Sequence, residues 1–152
     1  TNDSAGAFAR LVDMDVEPFL VASSLLGVLA QRLVRRLCDS CKEHYWPNED
    51  GLSDLGLTRD QVPEGAWRAT GCKECNQLGY KGRCGIFEFL PASEPVKRAV
   101  IKNADAGTIK AAAIEAGMVT LRDDGIAKVL AGVTTFDEVL RVTRDDSVEY
   151  GS

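Results

Sequence analysis

Two short cysteine pairs, Cys38-x-x-Cys41 and Cys72-x-x-Cys75, constrain this chain more than any other feature. Two intervening residues let a tight turn aim both sulfurs at one ion. Two such turns complete a tetrahedron of thiolates, the donor set of structural zinc sites. The 30 residues between the pairs (42–71) exceed the roughly 15–20 of the commonest pattern. That excess costs little, because loop-closure entropy grows only with the logarithm of length.

Two other chemistries use the same residues. A disulfide framework suits a secreted chain, but nothing here marks secretion, and the fifth cysteine, Cys84, makes the count odd. A redox dithiol places one Cys-x-x-Cys at a helix start after a strand, where the dipole lowers the thiol pKa. Two pairs, one followed by Asn76-Gln-Leu-Gly79, fit that poorly. A structural metal site is the preferred reading, with Cys38, Cys41, Cys72 and Cys75 as ligands. Cys84 then reads as a buried strand residue. His44, the single histidine, reads as a loop residue rather than a substitute ligand.

The chain has 152 residues, one ordinary domain's worth, and its 45% hydrophobic and 27% charged residues suit a globular protein. Eighteen Lys+Arg against 23 Asp+Glu give a net charge of -5. That balance argues against nucleic acid as a partner, since phosphate neutralisation needs a basic surface. The longest apolar stretch, 19–30, is twelve residues interrupted by Ser23, Ser24 and Gly27. A bilayer helix needs about 20. The polar start has no cationic lead for a signal peptide and no initiator Met, so a piece of a longer protein is expected.

Three sections follow one another. In the first, 1–37, Asp3 or Ser4 can cap a helix through Val12, and Pro18 suits the first turn of a second helix ending near Leu26. In residues 28–37, Leu29, Leu33 and Leu37 fit one face of either a strand or a helix; periodicity does not decide between them, and a strand is the preferred reading. Arg32, Arg35 and Arg36 lie there with no acidic residue between 18 and 38, so they can face a phosphate or acidic partner, or simply solvent. The second section, 38–90, holds both cysteine pairs, with turn residues Pro47, Gly51, Gly56, Pro63 and Gly65 between them and a helical patch at 52–57. Trp46 and Trp67 are expected to cover the metal-bearing half, which at about 50 residues needs a staple. Gly79 and Gly82 predict a turn feeding a strand, with Arg83 at its head. The third section, 91–152, carries four helical stripes at 94–102, 108–116, 121–130 and 136–142. Gly117 and Gly132 are stops, and Thr120/Asp123 and Thr135/Glu138 are capping-box starts.

No Ser/His/Asp grouping is visible, nor a Gly-x-x-x-x-Gly-Lys-Ser/Thr or Gly-x-Gly-x-x-Gly loop. The residues by themselves therefore predict a zinc-stapled helical module with an Arg-bearing strand, and no means of cradling a nucleotide.

The string from Thr1-Asn-Asp-Ser to Asp13-Met14, and Val16-Glu-Pro-Phe-Leu-Val-Ala-Ser-Ser-Leu through Arg35-Arg-Leu-Cys38, resemble the secretion ATPases of bacterial type II secretion and type IV pilus assembly. So do Gly82-Arg-Cys-Gly-Ile-Phe-Glu88, Thr120-Leu-Arg-Asp-Asp-Gly125 and Thr134-Thr-Phe-Asp-Glu-Val-Leu-Arg-Val142. The resemblance covers essentially the whole chain, and the wording at 19–25 looks more like the type II branch. It implies a fold class: an α/β fragment of a RecA-like ATPase core (1–37), then a small four-cysteine zinc module with its following strand (38–90), then a C-terminal helical subdomain (91–152). Walker A and B and a histidine box would precede Thr1, so no catalytic residue is expected in this stretch, which would be inactive alone.

The parent would be a cytoplasmic, six-membered ring that turns ATP hydrolysis, with magnesium, into pseudopilus movement. It would be recruited peripherally to the inner membrane by cytoplasmic domains of secretion proteins. The resemblance matches the four cysteines to metal ligands and Arg83 to an arginine contacting nucleotide phosphate. The competing role for Arg83 is a salt bridge to Glu88. Cys84 departs from the family, where Thr or Ser is expected. A stand-alone zinc module that docks a membrane partner is the other functional class.

Overall fold

A computed structural model describes residues 3–143; the outermost residues of the first and third sections, 1–2 and 144–152, lie outside the described residues. The elements run α1 (Ser4–Asp13), α2 (Pro18–Ser24), β1 (Gly27–Leu37), β2 (Glu43–Tyr45), α3 (Glu49–Asp54), β3 (Ala66–Arg68), β4 (Tyr80–Pro91), α4 (Glu94–Ile101), α5 (Ala106–Glu115), α6 (Leu121–Leu130) and α7 (Phe136–Thr143). β1 pairs with β4 in one two-stranded sheet. β2 pairs antiparallel with β3 in the other, His44 opposite Trp67. The fold is thus mixed α/β.

The chain divides into two compact units. Among the described residues, the first takes 3–32, 86–124 and 143, and the second takes 33–85 and 125–142. Each draws on more than one of the three consecutive sections of the sequence.

The first unit is a small helical core. Phe8 of α1, Val21 of α2, Val96 and Val100 of α4, and Ile109 and Ala113 of α5 close around Leu90 of β4. Asp3 starts α1 by accepting the Gly6 N–H at 2.8 Å, and Pro18 occupies the first turn of α2. α5 begins two residues earlier than its apolar stripe predicts. Its cap is Asp105, which accepts the Thr108 N–H at 2.8 Å. Glu88 is 1% exposed and accepts hydrogen bonds from the Ser4 hydroxyl, the Ser4 N–H (3.1 Å) and the Leu121 N–H (3.0 Å). One carboxyl group thereby serves the first turns of two helices, whose unpaired N–H groups and positive dipole ends want an anionic or acceptor partner.

The second unit packs Leu52 and Leu55 of α3 with Val62, Ala66, Val129, Phe136 and Val139. α3 starts at Glu49, three residues before the predicted patch, because Asn48 caps it through the Gly51 N–H at 2.7 Å. Gly125 of α6 is required by packing: a Cβ there would sit 2.6 Å from Cγ1 of Val139.

The strand expected at 28–37 is β1, but its inward face differs from the prediction. Leu29 and Leu33 are exposed, whereas Val34 and Leu37 are buried. Burial steps by three between those two residues, so the period-two alternation slips there. The backbone shows why: the Arg35 N–H goes to Glu138 (2.7 Å) and the Leu37 N–H to the Val133 carbonyl (2.8 Å).

Candidate metal centre

Each cysteine pair is built by its own turn. Cys38 follows the last residue of β1, and its carbonyl accepts the Lys42 N–H at 3.0 Å, wrapping the chain so that Cys41 returns toward Cys38. In the second pair a single 3₁₀ turn, Lys73–Cys75, is closed by Asn76 and Gln77 in left-handed conformation, and the Gln77 N–H reaches the Cys72 carbonyl at 2.8 Å. The two turns are tied together by the Cys38 N–H donating to the Gly79 carbonyl at 3.0 Å.

The four sulfurs converge, all within 4.8 Å of one another. Cys38 to Cys72 is 3.8 Å, Cys41 to Cys75 is 3.9 Å and Cys72 to Cys75 is 3.8 Å. A tetrahedral ion with bonds of about 2.3 Å has sulfur–sulfur edges of about 3.8 Å, so the set fits zinc closely. All five cysteines are free thiols.

Backbone donors surround this cluster. The Gly71 N–H points at the Cys41 sulfur at 3.3 Å, and the Cys72 and Gly79 N–H groups point at the Cys75 sulfur at 3.2 Å each. Burial works against a Cys75 thiolate, yet these two N–H groups and the Cys72 and Cys41 thiols bring its pKa down to about 6. The Thr70 hydroxyl lowers Cys41. For Cys72, the Cys75 N–H favours the thiolate, but burial and the neighbouring sulfurs of Cys75 and Cys38 push it up to about 11. Sulfurs this close resist ionising together without a counter-charge. A divalent cation provides it, so metal uptake releases protons.

Gly79 joins both turns at φ +81°, and a Cβ there would lie 2.6 Å from the Ala69 Cβ. Gly79→Ala is expected to cost about 2 kcal/mol through left-handed strain and crowding. Because both turns shift, the variant should release metal to a chelator faster than the parent, which competition with a colorimetric chelator measures.

The centre is anchored to the α6–α7 connection, through the Leu37 N–H to Val133 and the Lys42 ammonium to the Gly132 carbonyl at 3.0 Å. Trp67 packs here, its ring 4.7 Å from the Lys42 ammonium. Trp46 does not share that role: it is 58% exposed and meets the His44 ring edge-on. His44 bonds the Glu64 carbonyl through Nε2 at 2.6 Å and is not among the clustered donors. Cys84, half-buried in β4, is outside the cluster as well.

The arginines divide. Arg35 is engaged internally, its guanidinium on Glu138 at 2.9 and 3.0 Å and 4.2 Å from the Tyr80 ring centroid. Arg141 holds the other side of Glu138 at 2.9 and 3.2 Å. The capping-box pattern identifies the Thr135 hydroxyl correctly, since it accepts the Glu138 N–H at 3.2 Å. The Glu138 carboxylate instead serves Arg35 of β1 and Arg141 of its own helix. Arg32 is half-buried and Arg36 exposed. Arg83 is exposed within β4, which begins at Tyr80, before the glycine, and among the described residues its side chain makes no hydrogen bond or ion pair. The alternative bridge to Glu88 does not form, because Glu88 is committed to Ser4 and Leu121.

Glu138 gives the second unit a pH dependence. Burial opposes its charge, but the two guanidinium groups and the Arg35 N–H hold its pKa down to about 2. A lowered carboxylate pKa contributes stability that is complete above its unfolded value of about 4.3 and is lost as pH falls toward 2. Glu138→Gln should lower stability at pH 7 by about 2–3 kcal/mol and flatten the acid limb of a stability–pH profile below pH 4.5. Urea titrations between pH 2 and 7 check both effects.

Residues 1–141 match the family model described as "Type II/IV secretion system protein". The chain is 48% identical over 146 residues to the type II secretion system protein E of Pseudomonas aeruginosa, covering 96% of this chain and 29% of that protein. It is 44% identical over 145 residues to the type II secretion system ATPase E of Vibrio cholerae, with 95% and 28% covered. To the type IV pilus assembly ATPase PilB of Thermus thermophilus it is 44% identical over 145 residues, with 94% and 16% covered. The chain therefore spans less than a third of the length of these relatives. A match that runs unbroken through both cysteine turns and the strand and helices that carry them leaves one conclusion: the chain belongs to the type II/IV secretion system protein family.

Proposed function

We propose that this chain is the C-terminal part of a cytoplasmic secretion ATPase that powers type II protein secretion, driving pseudopilus assembly by ATP hydrolysis in a hexameric ring. The observation that carries the reading is 44–48% identity over at least 94% of the chain to proteins named as type II secretion system protein E, type II secretion system ATPase E and type IV pilus assembly ATPase. The type II branch is preferred over pilus assembly on the wording at 19–25, because identity does not divide the two: type II and pilus relatives both stand at 44%. In this reading 1–37 completes a RecA-like core, 38–90 is the zinc module and 91–152 is the helical subdomain. In this reading ATP and magnesium would be held by other parts of the parent, since these 152 residues carry no phosphate-cradling glycine loop. Attachment to the inner membrane would run through the cytoplasmic domains of membrane partners; among the described residues no helix is long and apolar enough to cross a bilayer.

Zinc bound by Cys38, Cys41, Cys72 and Cys75 supplies folding free energy to the second unit. Arg83 supplies a guanidinium with no competing partner among the described residues, suited to nucleotide phosphate oxygens once the parent is assembled. The 152-residue chain alone is expected to hydrolyse no ATP, while the parent does. Arg83→Ala in the parent should cut kcat at least tenfold, a loss of about 1.4 kcal/mol or more of transition-state stabilisation, with metal content unchanged. Hydrolysis by the isolated chain would overturn its assignment as a dependent part. Full activity of Arg83→Ala would remove the phosphate role.

A further inference from the structure

Apart from the sulfur cluster, the second unit opens a groove of about 360 Å³ between the residues following β2 and helix α7. The rings of Tyr45, Trp46 and Phe136 line it together with Leu55, Asp54 and Asp137. Phe136 and Leu55 are buried, so the shape is set by the core, whereas Trp46 presents its ring to solvent. An indole left exposed beside an apolar floor is a surface with unspent burial and a cation-attracting face.

The two charged side chains that line this groove are both carboxylates, while the nearby guanidinium groups of Arg68 and Arg59 are engaged with the Tyr45 ring and the Pro47 carbonyl. Asp54 and Asp137 are exposed, and neither carboxylate has a hydrogen bond or ion pair among the described residues. Asp54 is the last residue of α3, where the helix dipole disfavours a carboxylate, so local helix stability does not account for it. The same helix opens with Glu49 and Asp50, which deepens the negative field. Tyr45 already takes a guanidinium: Arg68 of β3 lies 4.5 Å from its ring centroid. The Asp137 charge also reaches the Tyr45 phenol, whose pKa is raised by burial and then by that carboxylate.

We propose that this groove receives an arginine side chain from a partner protein. The guanidinium lies against the Trp46 ring between the fields of Asp54 and Asp137, and the apolar neighbours of that arginine cover Leu55 and Phe136. Arginine is favoured over lysine because its planar, weakly hydrated head stacks on rings while still donating to carboxylates. Phosphate-bearing partners are disfavoured by the two carboxylates. The inference goes beyond the ATPase reading and rests on no part of it.

Titrating the zinc-loaded 152-residue chain with the peptide acetyl-Leu-Arg-Leu-amide, followed by ¹⁵N NMR, tests it. Saturable shifts of the Trp46 indole N–H and of the first-turn amides of α7 are expected. The Leu-Gln-Leu peptide should bind at least about fivefold more weakly. Asp54→Asn, at a position where neutralising the charge does not weaken the helix, should weaken the arginine peptide about threefold to tenfold and reduce its salt sensitivity. Trp46→Ala, with an otherwise unchanged amide spectrum, should do likewise. Equal affinity for the glutamine peptide, shifts confined to another surface, or no shift of Trp46 at about 10 mM peptide would each overturn the proposal.

Discussion

Replacing Cys75 by serine, or removing the metal with a chelator, should abolish the fold of the second unit while leaving the helical signals of the first. The apparent binding free energy of four-thiolate zinc sites is about 10–16 kcal/mol, as large as the whole stability of an ordinary domain. The second unit depends on it because its apolar cluster is small, with Leu52, Leu55, Val62, Ala66, Val129, Phe136 and Val139 as its buried members. Cys75 is the strongest single test: it is buried, its sulfur takes two backbone N–H groups, and burial makes any substitute donor hard to hydrate. Near-ultraviolet circular dichroism should lose the Trp67 contribution on metal removal. Amide exchange should become fast across 33–85 and stay slow around Phe8, Leu90 and Ile109. Restoring zinc to the chelated parent should restore the spectrum, and adding it to Cys75→Ser should not.

Glu88→Ala should destabilise the first unit by about 3–5 kcal/mol. It leaves the N–H groups of Ser4 and Leu121 buried and unpaired, each costing about 1–3 kcal/mol, and removes the acceptor at two helix dipoles. Ser4 and Leu121 are 0% and 1% exposed, so water cannot easily replace the carboxyl group. Glu88→Gln keeps one acceptor oxygen but turns an NH₂ group toward a donor, so it should recover only part of the loss. Urea unfolding of the three proteins gives the ordering, parent above Gln above Ala. Metal content should be unchanged in all three, because Glu88 belongs to the unit without the sulfurs. An alanine variant as stable as the parent would show that the two helix starts find other partners.

How far these features are readable in the sequence depends on whether their signal is local. Cys-x-x-Cys is a local geometry, and both turns close as their spacing requires. Capping is local too, so α1, α6 and α7 start where Asp3, Thr120 and Thr135 predict. Glu138 shows the limit: its neighbours in sequence suggest a reciprocal cap, but Arg35, 103 residues away, claims the carboxylate. The same bond diverts the Arg35 N–H to Glu138 and accompanies the change of inward face in β1, which no periodicity in 27–37 reveals. Glu88 sits in a strand whose composition invites pairing with Arg83, and only the fold shows that it serves two helix starts. The groove at Trp46 was likewise beyond reach, since its walls come from residues about 90 positions apart.

The central claim is that Cys38, Cys41, Cys72 and Cys75 hold one zinc ion on which the second unit is built. Elemental analysis of the reduced, purified chain combined with X-ray absorption at the zinc edge tests it most directly. One zinc per chain with four sulfur neighbours at about 2.3 Å is the predicted result. A metal-free chain with a fully ordered second unit, or a zinc bound by nitrogen and oxygen, would contradict it.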